Sequence, residues 1–327
     1  MELTSSTAAG VLVESTSFKG LAKGSARGGA PSAWLAVYKI CWSTGGCSSA
    51  DLLAAFDDAI FDEVEIISVS LGSYPPLPSY VEDVLAIGSF HAVAKGVSVV
   101  CSGGNSGPYA QTVINTAPWV ITVAASTIDR EFPSTIILGN NQTIQPRSQR
   151  SATAAVRTVM EVEGVGLIYA QFPTNDVDMC WGIPSVQVDF TAGTKILSYM
   201  EATRNPVIKF SKTRTVVGQQ MSPDVALFSS RGPSSLSPSV LKPDIAAPGV
   251  NILAAWSPAS YSSQQSDASQ DELTALNFNI ESGTSMSCPH IYGIIALMKT
   301  VCPTWSPAAI KSALVTTGNK DLQTCLF

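Results

Sequence analysis

Hydrophobic residues along the first part of the chain fall into two alternating kinds of run. Short, β-branched apolar stretches occur at residues 33–40, 66–70, 97–100 and 120–124, and helix-like segments lie between them at 49–61 and 80–95. Strands interleaved with helices of this length predict βαβ units around a parallel sheet covered on both faces. From about residue 140 to 221 the rhythm breaks, with polar residues to Arg157 and then shorter patterned pieces such as Gly164-Val165-Gly166-Leu167-Ile168-Tyr169. That stretch predicts an inserted subdomain. From Pro223 onward tight turns and apolar strands return, at 225–228 and 243–249, and an apolar helix-like run covers 291–301. No solenoid period is visible. The expected fold class is therefore α/β: a parallel sheet flanked by helices over 1–139 and 223–327, with a small β-rich insertion over 140–222.

Composition sharpens this picture. The chain has 327 residues, enough for one large core and an appendage, and it is 45% hydrophobic with only 13% charged residues. The net charge of -6, with Lys and Arg scattered, gives no electrostatic footprint for nucleic acid. The longest apolar run, 291–298, falls far short of the roughly 20 residues of a membrane span. Neither nucleic acid nor membrane is an expected partner, and no metal or cofactor is expected. Met-Glu-Leu-Thr-Ser-Ser at the start has neither a basic nor an apolar leader region, so no signal peptide is expected in the chain as written. Cys41 and Cys47 flank a Gly-rich turn and either close a small disulfide loop or stay as free, half-buried thiols. Asn141-Gln142-Thr143 is a sequon that a secreted product would glycosylate.

The stretch richest in chemistry is Gly283-Thr284-Ser285-Met286-Ser287-Cys288-Pro289-His290, just before the apolar helix-like run. A serine between a glycine turn and a helix start exposes its hydroxyl, and the helix's unpaired N–H groups and positive dipole end favour negative charge beside it. An acyl-transfer oxyanion is stabilised in such a place. Tyr292 to Met298, apolar on most faces, predicts a buried helix and hence a rigid support. A second stretch, Cys101-Ser102-Gly103-Gly104-Asn105-Ser106-Gly107-Pro108, follows the strand at 97–100 and reads by itself as a turn.

The run 283–290 is similar to the serine motif of the subtilisin-like proteases, and specifically of their plant branch, the plant subtilases. The resemblance implies that Ser285 is the nucleophile and that the Asn105 carboxamide donates to the tetrahedral oxyanion. It also implies that Ser70, Leu71 and Gly72 pair their backbone with an extended peptide or protein substrate, while Ser102, Gly103 and Gly104 wall the first specificity pocket. Similarity extends over 5–139 and 223–317, including Tyr38-Lys39-Ile40-Cys41-Trp42 and Phe228-Ser229-Ser230-Arg231-Gly232-Pro233. The insertion, through Gly164-Val165-Gly166 and Val216-Val217-Gly218, resembles the back half of a protease-associated domain. An extracellular, cell-wall serine endopeptidase is what the likeness implies.

The pattern is expected to depart from the family at both ends: the β-sandwich that resembling proteins carry is not expected after Asn319, and the start departs as well. Relatives reach the segment Ser6-Thr7-Ala8-Ala9-Gly10 through His-Gly-Thr-His, whose first histidine is the general base, and carry the orienting aspartate on a strand further upstream. Here Met1-Glu2-Leu3-Thr4 precede it. The expectation is a subtilisin-like domain incomplete at that end, catalytically inactive as written, and of marginal stability because the sheet position beside 33–40 would be empty. A non-catalytic peptide-binding pseudoprotease using Ser70 to Gly72 is the alternative. The only histidines are His91 and His290. His290, five positions after Ser285, points about 140° away around the helix, and both are expected to be packed histidines.

Overall fold

The computed structural model describes residues 2–42, 46–73, 75–144, 158–170, 183–219, 222–257 and 277–318. At its centre lie four strands, β1 (Ile66–Val69), β2 (Ser98–Ser102), β3 (Ile121–Ser126) and β4 (Ile245–Pro248), paired all-parallel in the order β4-β3-β2-β1. Helices, in chain order, run at α1 (Glu2–Ala9), α2 (Ser49–Phe61), α3 (Val84–Ala94), α4 (Phe190–Ala202), α5 (Thr284–Val301) and α6 (Pro307–Thr317), with a further helical turn at 158–161 among the described residues. Side-chain alternation along β2 divides the core: Val99 and Cys101 face α2 and α3 with Phe56, Leu85 and Ala92, whereas Val100 faces α5 and α6 with Ile291, Ile295 and Ile310. The result is a sheet covered by helices on both faces, as the sequence pattern predicts.

Local chemistry sets the helix starts. The Ser48 hydroxyl accepts from the N–H groups of Ala50 and Asp51 ahead of α2, Asp83 caps α3 through Leu85 N, and Ser306 caps α6, where Pro307 occupies the first turn. Between α2 and α3 the approach is close: a Cβ at Gly88 would lie 2.3 Å from the Phe56 ring. Only a residue without a side chain fits there.

A buried ion pair joins β3 to the segment entering β4. Lys242, 1% exposed, donates to Val120 O and Thr122 Oγ1 at 2.9 Å each and to Asp244 Oδ2 at 2.6 Å. Asp244 also accepts from Thr122 N and from Lys311 of α6, both at 2.8 Å. Burial pushes the Lys242 ammonium down to about 8, against the pull of Asp244 in the other direction.

Several expectations are corrected. Residues 33–40 form no strand; Trp34 is 97% and Val37 55% exposed, and β1 is the edge of the sheet. An apolar, β-branched run becomes a strand only where a neighbouring backbone accepts its hydrogen bonds, and none of the described strands does so here. Residues 225–228 make a single bridge, Ser126 to Val225, because the chain crosses the end of β3 there; Phe228 O instead accepts from Gly107 N. Helix α5 is buried on one stripe only: Ile291 and Ile295 are in the core, but Ile294 and Leu297 are 42% and 50% exposed.

In the inserted region, strands run at Leu167–Ala170, within the patterned piece 164–169, and also at Ser185–Val188 and Ile208–Phe210. The 13-residue helix α4 joins them and buries Ile196 and Tyr199 against Ile136, Leu138, Val186 and Val188, so this unit is mixed α/β. The polar stretch ending at Arg157 lies, from residue 145, outside the described residues.

Candidate active site

Ser285 is the second residue of α5 and is half-buried. Its Oγ donates to Ser70 O at 3.3 Å. The preceding residue fixes what surrounds it. Gly283, the N-cap of α5, supplies no side-chain cap, and the open N–H of Thr284 is instead taken by the Asn105 Oδ1 at 2.9 Å. Thr284 Oγ1 also donates to Asn105 Oδ1 at 2.9 Å and accepts from Gly104 N at 3.0 Å.

With its oxygen held twice, the Asn105 carboxamide presents its nitrogen to the other side. A Cβ at Gly283 would lie 3.4 Å from Asn105 Nδ2 and 3.7 Å from Ser285 N. The Asn105 amide nitrogen and the Ser285 backbone nitrogen, with Met286 Sδ also at 3.7 Å, thus border one small space beside Gly283. A negatively charged oxygen in that space would meet two preorganised donors at a helix start.

The loop carrying Asn105 is braced from behind. Gly104 has φ +98, a left-handed conformation suited to glycine, and a Cβ there would approach Ser230 Oγ to 2.8 Å. Ser230 N donates to Gly104 O and Ser230 Oγ accepts from Ser106 N, while Ser229 Oγ accepts from Ala125 N; both serines are fully buried. Sequence reasoning gave these two hydroxyls no role. The available signal was the Ser229-Ser230 pair within the run 228–233.

Ser70, Leu71 and Gly72 follow β1, and Ser102, Gly103 and Gly104 lie at the carboxyl end of the adjacent β2; the ladder between the two strands ends at Val69 and Cys101. Leu71 is half-buried and Gly72 exposed, whereas Ser102, Gly103 and Gly104 are buried, with Gly103 N donating to Val123 O at 2.8 Å. Ile114 and Asn115, which sequence reasoning did not single out, lie between the two segments: a Cβ on Gly72 would meet Ile114 Cδ1 at 2.8 Å, and one on Gly104 would meet Ile114 Cγ1 at 3.1 Å. Beside Leu71 and Gly72 opens a cavity of about 310 Å³, bordered by Leu52, Val84, Glu82 and Asp83.

Neither histidine serves Ser285. His290 Nδ1 donates to Met286 O at 2.8 Å within α5, and burial lowers its pKa. His91 is exposed on α3, edge-on to Phe90 at 5.8 Å, which corrects the expectation that it is packed in the core. Among the described residues no imidazole or carboxylate hydrogen-bonds to Ser285 Oγ. Cys41 and Cys47 are joined as a disulfide across a two-stranded hairpin, resolving the two readings left open by the sequence. Cys288, at the base of the same helix turn as Ser285, is fully buried and its thiol is pushed up to about 11, so it is no rival nucleophile.

Comparison with known proteins adds the following. The model of the subtilase family matches residues 4–325. Subtilisin-like protease SBT3.2 of Arabidopsis thaliana is 44% identical over 370 aligned residues, covering 95% of this chain and 49% of that protein. Subtilisin-like protease SBT3.9 of the same plant is 45% identical over 356 residues, covering 95% and 45%. The chain therefore spans about half the length of the curated relatives it matches. Among solved structures, sphericase superposes with a TM-score of 0.49 and 21% identity over 96% of this chain and 67% of its own.

Proposed function

The chain belongs to the subtilase family, and from that premise we propose that residues 1–139 and 223–327 form the nucleophile-bearing part of a serine endopeptidase, with 140–222 as a protease-associated-like insertion. In the proposed reaction Ser285 Oγ attacks a peptide carbonyl carbon, and the hydroxyl proton passes to a base. The carbonyl oxygen, now negative, is held by Asn105 Nδ2 and Ser285 N. One observation carries this reading: the two donors that border the single gap beside Gly283.

The substrate class is a peptide or protein in extended conformation, added along Ser70, Leu71 and Gly72, with a side chain against Ser102, Gly103 and Gly104. The edge position of β1 supports strand addition. The reaction calls for no cofactor. The Cys41–Cys47 disulfide supports an oxidising, extracellular setting such as the plant cell wall. No described helix is long and apolar enough to cross a membrane.

A serine without a base is a weak nucleophile at neutral pH. Because His290 is bonded into its own helix and His91 is on the surface, we infer that residues 1–327 alone do not turn over peptide and that a histidine outside them completes the site. The second reading, a peptide-binding pseudoprotease, is favoured by the open edge of β1 and by the Ser285 hydroxyl resting on a backbone carbonyl.

The test is a quenched fluorescent peptide together with a fluorophosphonate probe. The chain by itself is expected to give neither turnover nor fast labelling, and a version extended upstream by an Asp- and His-bearing subtilase segment to give both. Labelling of Ser285 in the chain alone, at a rate typical of active serine proteases, would refute the inferred inactivity. An extended version that binds peptide yet never cleaves would favour the pseudoprotease.

A further inference from the structure

We propose that Asn115 is a positioning residue that staples the two walls of the cleft together and thereby sets the width of the first side-chain pocket. The proposal rests on the peptide-cleft reading above.

The parallel ladder between β1 and β2 ends at Val69 and Cys101. Beyond that point one carboxamide takes over from the ladder. Asn115 Nδ2 donates to Leu71 O at 2.9 Å on one wall and to Ser102 O at 2.8 Å on the other. Both N–H bonds of the amide are thereby used. Asn115 is only 6% exposed, so water does not compete freely for either carbonyl.

The staple is itself anchored. Asn115 O accepts from Thr122 Oγ1 of β3 at 2.7 Å, which ties the cleft floor to the next strand of the sheet. Its backbone has φ +55, a left-handed conformation that glycine adopts at less cost. Asparagine tolerates this conformation better than most side chains, and here its carboxamide also bonds the two walls. The neighbouring Ile114 fills the space between Gly72 and Gly104, so the distance the staple fixes is the one a substrate side chain would meet. The hydrogen bonds of the Asn115 amide nitrogen go to Leu71 and Ser102, not to Ser285 or Asn105, so Asn115 acts through the walls.

The test uses the whole chain and three fluorescein-labelled, uncleavable extended peptides that differ only in carrying alanine, leucine or phenylalanine at the residue seated in the pocket. Binding is read by fluorescence anisotropy and folding by the thermal transition. Wild type is expected to discriminate among the peptides by about tenfold or more. Asn115→Gly, which keeps the left-handed backbone, is expected to keep the transition but narrow the discrimination to within about twofold. The isosteric Asn115→Asp, which sets a buried carboxylate against two carbonyls, is expected to lower the transition temperature and to narrow the discrimination as well.

Variants that fold and discriminate as wild type does would overturn the proposal. So would loss of the thermal transition in both variants, which would make Asn115 a support of the fold rather than of the pocket. A wild-type chain that binds none of the peptides defeats the cleft reading before any variant is made, and a wild type that binds all three equally defeats the staple alone.

Discussion

Ser285 and Ser70 bind each other twice: Ser285 Oγ donates to Ser70 O at 3.3 Å, and Ser70 Oγ donates to Ser285 O at 3.2 Å. The pair joins the end of the edge strand β1 to the first turn of α5, across a sequence separation of 215. It also commits the hydroxyl proton to a backbone carbonyl. A base arriving beside Ser285 has to displace that bond, at a net cost of about 1 kcal/mol, small against the roughly 10²- to 10⁴-fold that general base catalysis supplies.

Thr284 holds the Asn105 oxygen and satisfies Gly104 N, and it is 1% exposed. Thr284→Val keeps the shape and removes both bonds. It is expected to destabilise the chain by about 1–3 kcal/mol, seen as a lower urea midpoint at unchanged slope. In a version completed by a base, kcat should fall by about tenfold or more with KM little changed, less than the roughly 10²- to 10³-fold expected of Asn105→Ala.

Asp244 is the counter-charge of a fully buried lysine. Asp244→Asn is expected to cost about 3–5 kcal/mol, because it removes the partner that compensates the buried Lys242 ammonium; Lys311→Met, at a position 23% exposed, about 1 kcal/mol or less. The pH dependence has a definite sign. The folded ammonium releases its proton near 8 and the unfolded one near 10.5, so between those values the unfolded chain binds more protons and stability from this group rises with pH. Urea midpoints at intervals from pH 8 to 10 should show the rise in wild type, and Lys242→Met should remove it.

Burial lowers the pKa of His290 below its ordinary value of 6.5. The unfolded chain therefore takes up a proton first as pH falls through 6.5, and stability is lost from there down to the folded value. His290→Gln should flatten this part of the stability profile without altering the chain's response above pH 7.5 or so.

Gly88→Ala would ordinarily favour a helix by about 1 kcal/mol. Here the added carbon would stand 2.3 Å from the Phe56 ring, so the sign should reverse, with an overpacking cost of about 1–3 kcal/mol. Calorimetry of Gly88→Ala beside Phe56→Leu/Gly88→Ala checks the cause: the second, smaller side chain should recover part of the loss.

Features written in neighbouring residues were legible from the sequence. The helix-like runs at 49–61 and 80–95 contain α2 and α3, the glycine turn at 283 precedes α5, and the β-branched runs at 66–70, 97–100 and 120–124 each became a strand of the parallel sheet. Segments whose fate depends on a distant partner were misread. Residues 33–40 have the composition of a strand but pair with none of the described strands, and Ile294 and Leu297 have the composition of a core yet are half-exposed among the described residues.

The site divides in the same way. The sequence alone singled out Ser285, Asn105 and the two wall segments, because turn glycines, helix starts and family motifs are local. Only the tertiary structure decided that Thr284 clamps the Asn105 oxygen, that Ser230 supports Gly104, and that Asn115 reaches both Leu71 and Ser102. Caps and periodicity are enforced by atoms a few bonds apart, whereas a hydrogen bond between residues 105 and 284 exists only once the sheet and helix have packed and excluded the water that would otherwise satisfy both groups.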